Sequence, residues 1–186
     1  MDFSAWKAYG GGKTQIYPMG AFGSEYSILH SQRTHMGSGL RQDLATHCLV
    51  EGKMYQLTTH FKLYDENMAP FSCSKAAQWG AEDYCVLLAL EYKIGTTTNV
   101  INLHSNVHAP WVADEFNFYH KIFHAEAELA IADQVILQVK GPRPGVSVLM
   151  DEVKLHEYTL PEPSCTQLVR NPSASVSLSL FDIAQV

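Results

Sequence analysis

The segment QVILQVKGPRPGVSVLMDEVKL, from Gln134 to Leu155, limits what this chain can become more than any other. Val135, Leu137 and Val139 alternate with Gln134, Ile136, Gln138 and Lys140, the period of a strand with one buried face and one face turned outward. The GPRPG that follows must turn the chain. Gly141 and Gly145 permit positive φ, while Pro142 and Pro144 fix φ and remove backbone donors, so the ladder stops and the chain reverses. A second strand follows, with Val146, Val148 and Met150 alternating against Ser147, Leu149 and Asp151. The segment reads as a hairpin with two unusual additions. One is a pair of amides at i and i+4 on the outward face; the other is an acidic pair, Asp151-Glu152, in the second strand.

The rest of the chain is strand-like too. Tyr55, Leu57, Thr59, Phe61 and Leu63 alternate with polar residues, giving two distinct faces. The run YCVLLALEYKI, from Tyr84 to Ile94, is apolar on both parities, as an interior strand covered on both sides would be. Shorter strands are expected at Tyr26 to His30, Leu40 to Leu44, Val100 to Leu103 and Phe116 to Phe123, with a strand and turn between Asp2 and Gly12. Only HAEAELAIAD, from His124 to Asp133, looks helical, and for one or two turns. Short strands separated by turns predict an all-β fold, an antiparallel β-sandwich of jelly-roll type. The 186 residues suit one domain, expected over residues 1–158. Residues 159–186 read as a tail or linker leading toward a next module. LVRNPSASV in that tail and DFSAW at the start look like pieces of one recurring module opening, as in a tandem array.

A formal net charge of −6, with no stripe of Lys and Arg to offset it, argues against nucleic acid as a partner. Membrane insertion is not expected either. The longest aliphatic run, Val86 to Leu90, is far short of the ~20 residues a spanning helix needs, and MDFSAWKAYGGG lacks the basic and apolar segments of a signal peptide. The cysteines at 48, 73, 85 and 165 show no CxxC spacing. Cys73 and Cys85 bracket a polar loop. Paired, they would pin it and imply an oxidising setting, secreted or at the cell surface; unpaired, they are buried thiols. The histidine pairs His104/His108 and His120/His124 lie in strand or loop text without an intervening Glu, and nothing brings Glu91, Asp114 or Glu115 together. G-x-S-x-G is absent. No catalytic residue is assigned.

Four pieces resemble the carbohydrate-binding modules of the family four, nine, sixteen and twenty-two group: DFSAW, GSEYSILHSQRT, LVEGKMYQLTTHFKL and VILQVKGPRPGVSVLMDEVKL. One departure is Ser4, where that opening usually carries Glu. The resemblance implies a galactose-binding-like jelly roll and a structural Ca²⁺. Carried over, the calcium donors are Asp2, a carbonyl near Ser24 or Glu25, and the Asp151 carboxylate. The plainer alternative is that Asp151 caps a nearby backbone amide. The resemblance also places binding amides on the strand that begins at Gln134.

Sugar rings offer hydroxyls to amides and an apolar C–H face to aromatic rings. Gln134 and Gln138, spaced by four on a strand, would point the same way roughly 13 Å apart. Tyr9, Trp79, Tyr84, Trp111 and Tyr119 are the stacking candidates, whereas Phe3, Tyr55, Phe61 and Phe116 suit the core. Arg33 would fork across two hydroxyls or brace its loop through carbonyls. The expected function is a non-catalytic carbohydrate-binding module for a soluble polysaccharide, a β-glucan or related polymer, with neighbouring modules beside it. The alternative is a structural or protein-interaction jelly-roll module of a secreted or cell-surface multimodular protein. A small lyase or hydrolase on the same fold ranks third.

Overall fold

A computed structural model describes residues 5–74 and 77–159. Asp2, Phe3 and the segment 160–186 lie outside the described residues, and with them all but the first residue of the tail expected from the sequence. The strands are β1 (Lys7–Tyr9), β2 (Lys13–Tyr17), β3 (Ser27–Ser31), β4 (Gly39–Leu44) and β5 (Met54–Tyr64), then β6 (Leu87–Ile94), β7 (Thr97–Leu103) and β8 (Asn117–His124). A one-turn helix, α1 (Ala127–Ala130), precedes β9 (Gln134–Lys140) and β10 (Ser147–Glu157). Two antiparallel sheets of five strands each result, a first in the order β1-β4-β9-β6-β7 and a second in the order β2-β3-β10-β5-β8. The fold is the expected β-sandwich.

The alternation read in β5 holds, with Tyr55, Leu57, Thr59, Phe61 and Leu63 all buried. Tyr55, Leu57, Phe61 and Leu63 meet Leu88 and Leu90 of β6, Val135, Leu137 and Val139 of β9, and Val148 and Met150 of β10 in one core. Each side chain of that size stabilises by about 2 kcal/mol when removed from water. A smaller cluster of Leu29, Tyr64 and Leu149, flanked by Tyr17 and Phe116, lies outside the second sheet. It explains why β10 is buried on both parities.

The expected hairpin does not form. β9 belongs to the first sheet and β10 to the second, each the central strand of its sheet, so GPRPG carries the chain over one end of the sandwich and the two strands face each other across the core. Gly141 has φ 64° and its amide donates to the Met36 carbonyl at 2.8 Å; the Gly145 amide donates to the Arg33 carbonyl at 3.3 Å. A reversal between paired strands and one between stacked sheets demand the same residues, and these outside partners decide the second.

His30 of β3 is 1% exposed, with Nδ1 3.3 Å from Thr14 Oγ1 and no partner for Nε2 among the described residues. Burial, and then the nearby Arg33 charge, lower its pKa from 6.5 to about 4. Because the folded value lies below the unfolded one, the unfolded chain takes up the proton first. Stability is full above pH 6.5 and falls as the pH drops toward 4, by on the order of 2–3 kcal/mol from this residue. Urea melts between pH 7.5 and 4.5 should show that loss, and His30→Gln should flatten it.

Candidate functional site

Parity turns a polar set of side chains outward from the first sheet. Lys7 pairs with Arg41, Arg41 with Gln138, Gln138 with Ala89, and Ala89 with Asn102, so one row crosses all five strands. At the usual strand spacing it spans about 19 Å. The adjoining row holds Asp43, Ile136, Glu91 and Val100. Gln138 donates from Nε2 to Glu91 Oε2 at 2.8 Å, and its Oε1 has no partner among the described residues although the residue is 3% exposed. Gln134, exposed on the same face, donates to Asp43 Oδ1 at 2.8 Å. Gln138 is thus not the solvated amide that alternation alone predicts. Its neighbours on β4 and β6 enclose it.

Tyr9 leans over Gly39. A Cβ there would meet the Val139 carbonyl oxygen at 1.7 Å and the Tyr9 ring at 3.2 Å, so only glycine admits this approach. The Tyr9 hydroxyl is buried and also lacks a partner among the described residues. Burial, and then the Glu91 charge, hold it protonated well above the usual phenol range. Burial lowers the Lys140 pKa, with Glu91 opposing. A hollow of about 230 Å³ lies over Arg41, Asp43, Glu91 and Gln134.

A larger cleft, about 890 Å³, opens at the flank between β7 and β8 and reaches this face at Leu87, Asn102 and Lys140. Trp79, half exposed, stands edge-on to Tyr84 with ring centroids 5.2 Å apart. Trp111 lines the same cleft and packs partly on the core. The loop bearing Trp79 and Tyr84 is closed by the Cys73–Cys85 disulfide, the pairing raised from the sequence.

Tyr119 lies elsewhere than expected. It turns inward, 7% exposed and edge-to-face with Phe61, and forms only the inner wall of the cleft. The opposite parity of β8 is the open one, and Phe118 is 43% exposed. Arg33 is 3% exposed and is directed at backbone. Nε and Nη2 donate to the Ser38 carbonyl, Nη2 also to Met36, and Nη1 to Arg143 and Val146. It braces the loop before β4 and the turn after β9.

Asp151 is 1% exposed; Oδ2 accepts the Ala21 amide at 2.7 Å and Oδ1 the Glu152 amide at 2.8 Å. Glu25 is exposed, and Asp2 lies outside the described residues. Among the described residues, which do not include Asp2, no group of three or more His, Cys, Asp or Glu is placed to hold a metal. With these two contacts Asp151 caps backbone amides.

Arg41, Glu91, Lys140 and Asn102 escaped assignment from the sequence. The signal for Arg41 and Glu91 is weak, single polar residues at outward parity in GLRQDL and LLALEYKI, whereas Lys140 is outward in the strand already read and carried no role there.

The architecture is that of jelly-roll carbohydrate-binding modules. The chain is similar to the C-terminal family 22 carbohydrate-binding module of a Clostridium thermocellum protein, with TM-score 0.62, 14% identity, 84% of this chain and 87% of the other covered. It is also similar to a family 22 xylan-binding domain from Paenibacillus barcinonensis, with TM-score 0.60, 15% identity, and coverage of 86% and 89%. A tandem of two such domains from Paenibacillus barcinonensis aligns with TM-score 0.63 at 15% identity, over 86% of this chain and 43% of the tandem. No protein-family profile and no curated protein matches the chain. At these identities the likeness is one of fold.

Proposed function

We propose that the chain is a non-catalytic module that binds a soluble polysaccharide along the outer face of the first sheet. The observation that carries this reading is Gln138, a nearly buried amide anchored by Glu91 whose remaining acceptor has no partner among the described residues. An unsatisfied buried acceptor is costly in the free protein, and a sugar hydroxyl that reaches it as the enclosing side chains shift is a donor of the right kind. Trp79 and Trp111, at the end of the same face, supply flat apolar surface for a ring's C–H face. A few such contacts against the ordering of a flexible polymer imply a Kd of roughly micromolar to millimolar. Repeated modules would raise retention by avidity, and the disulfide fits a secreted or cell-surface setting.

Three similar structures are described as xylan-binding, so xylan stands beside β-glucan as a candidate ligand. In native affinity gels containing mixed-linkage β-glucan, xylan or mannan, at least one polymer should retard the protein, and no reducing ends should accumulate. Gln138→Leu should weaken retardation about tenfold without lowering the melting temperature. Free migration in every gel would remove the reading. A second reading, a protein-interaction module, draws on the other sheet. There the rings of Phe22, which is 83% exposed, His60, Phe118 and His120 follow one another at centroid spacings of 4.7, 5.0 and 6.1 Å. Indifference to every glycan together with self-association would favour it.

A further inference from the structure

We propose that the polysaccharide is anionic, a polymer bearing uronate carboxylates; this rests on the binding reading above and specifies its ligand. The outer face of the first sheet carries Lys7, Arg41, Lys93 and Lys140 against only Asp43 and Glu91, two positive charges in excess on a chain whose formal net charge is −6. A merely solvated face of this protein would tend toward the opposite sign.

The pairing on the face sharpens the point. Ion pairs among the described residues join Lys53 to Glu157, Lys62 to Asp114 and Lys154 to Glu152, and none includes a cation of this face. Its two carboxylates instead accept amide hydrogens, Asp43 from Gln134 and Glu91 from Gln138. The amides thereby hold the acids, and the cations are left to an external anion.

Arg41 lies directly across from Gln138, and Lys140 is two residues along β9 on the same face. Diagonal neighbours of this kind sit about 7–8 Å apart, a gap that one carboxylate can bridge. The guanidinium offers a planar fork matched to a carboxylate, and the ammonium offers a point charge. The Tyr9 hydroxyl and Gln138 Oε1, buried and without a partner among the described residues, belong to the same face as these cations. Lys140 is itself partly withdrawn from water, and the Glu91 charge offsets that only in part.

Titration calorimetry on the whole chain tests this with polygalacturonate, alginate and glucuronoxylan against debranched xylan and mixed-linkage glucan, at low and high NaCl. At least one uronate polymer should bind tenfold or more tightly than its neutral counterparts, and the advantage should shrink with salt. Carrageenan, which carries sulfate, should bind less well than the best uronate. The double variant Arg41→Gln/Lys140→Gln should lose at least tenfold toward the uronate polymer, while Lys121→Gln, the same type of charge removal on the other sheet, should change it less than twofold. Neutral polymers binding as tightly as uronates, sulfated polymers binding as tightly, or a double variant that keeps its affinity would each overturn the assignment while leaving polysaccharide binding intact. A folded protein that binds none of these polymers overturns both.

Discussion

Arg33→Ala should destabilise the protein by about 4 kcal/mol, because it strips donors from four backbone carbonyls where the loop before β4 meets the turn after β9. Removing one partner of a buried charged network costs about 3–5 kcal/mol, since the groups left behind are neither paired nor hydrated. In a domain of this length that is roughly 10 °C in melting temperature. Burial lowers the guanidinium pKa to about 10, which still leaves it charged at neutral pH. Arg33→Lys should recover less than half of the loss, because an ammonium cannot reach four carbonyls in the directions the fork does. At a temperature where the Ala variant remains folded, glycan retardation should stay within a few-fold of the parent. A variant that melts like the parent yet loses binding would place Arg33 on the ligand after all.

Breaking the Cys73–Cys85 bridge should have the next largest effect. Its sequence separation of 12 corresponds to about 3 kcal/mol of chain entropy in the unfolded state. The bridge also closes the loop that carries Trp79 and Tyr84. Cys73→Ser/Cys85→Ser should therefore lower stability by about that amount and, at 20 °C, bind glycans more weakly than the parent although the sandwich persists. Guanidinium melts, tryptophan emission and the affinity gel read the two effects separately. Unchanged retardation in the reduced, folded protein would dissociate the loop from the binding face.

Much of the sandwich was legible because alternation records which side of a strand is dry. β5, β6 and β9 announced themselves in this way, and α1 was correctly held to a turn. β2 was missed because KTQIY is an edge strand with no fully buried residue, so its sequence carries little periodicity. Parity alone also misplaced Tyr119. β8 presents two aromatic sets in alternation, and only the contact with Phe61 shows which of them fills the core. At the site, the strand bearing Gln134, Gln138 and Lys140 was recognised, but Arg41 and Glu91 sit on strands far from it in sequence. They become neighbours once register is known, and register depends on long-range pairing that no single strand encodes.

The row from Lys7 through Arg41, Gln138 and Ala89 to Asn102 has its rungs set by backbone hydrogen bonding, not by side-chain reach. Such a ladder cannot stretch or contract to suit a guest. On the proposed binding reading it would act as a ruler: short oligomers would leave rungs vacant, each added unit would gain until the fifth strand is covered, and anything longer would overhang without further gain.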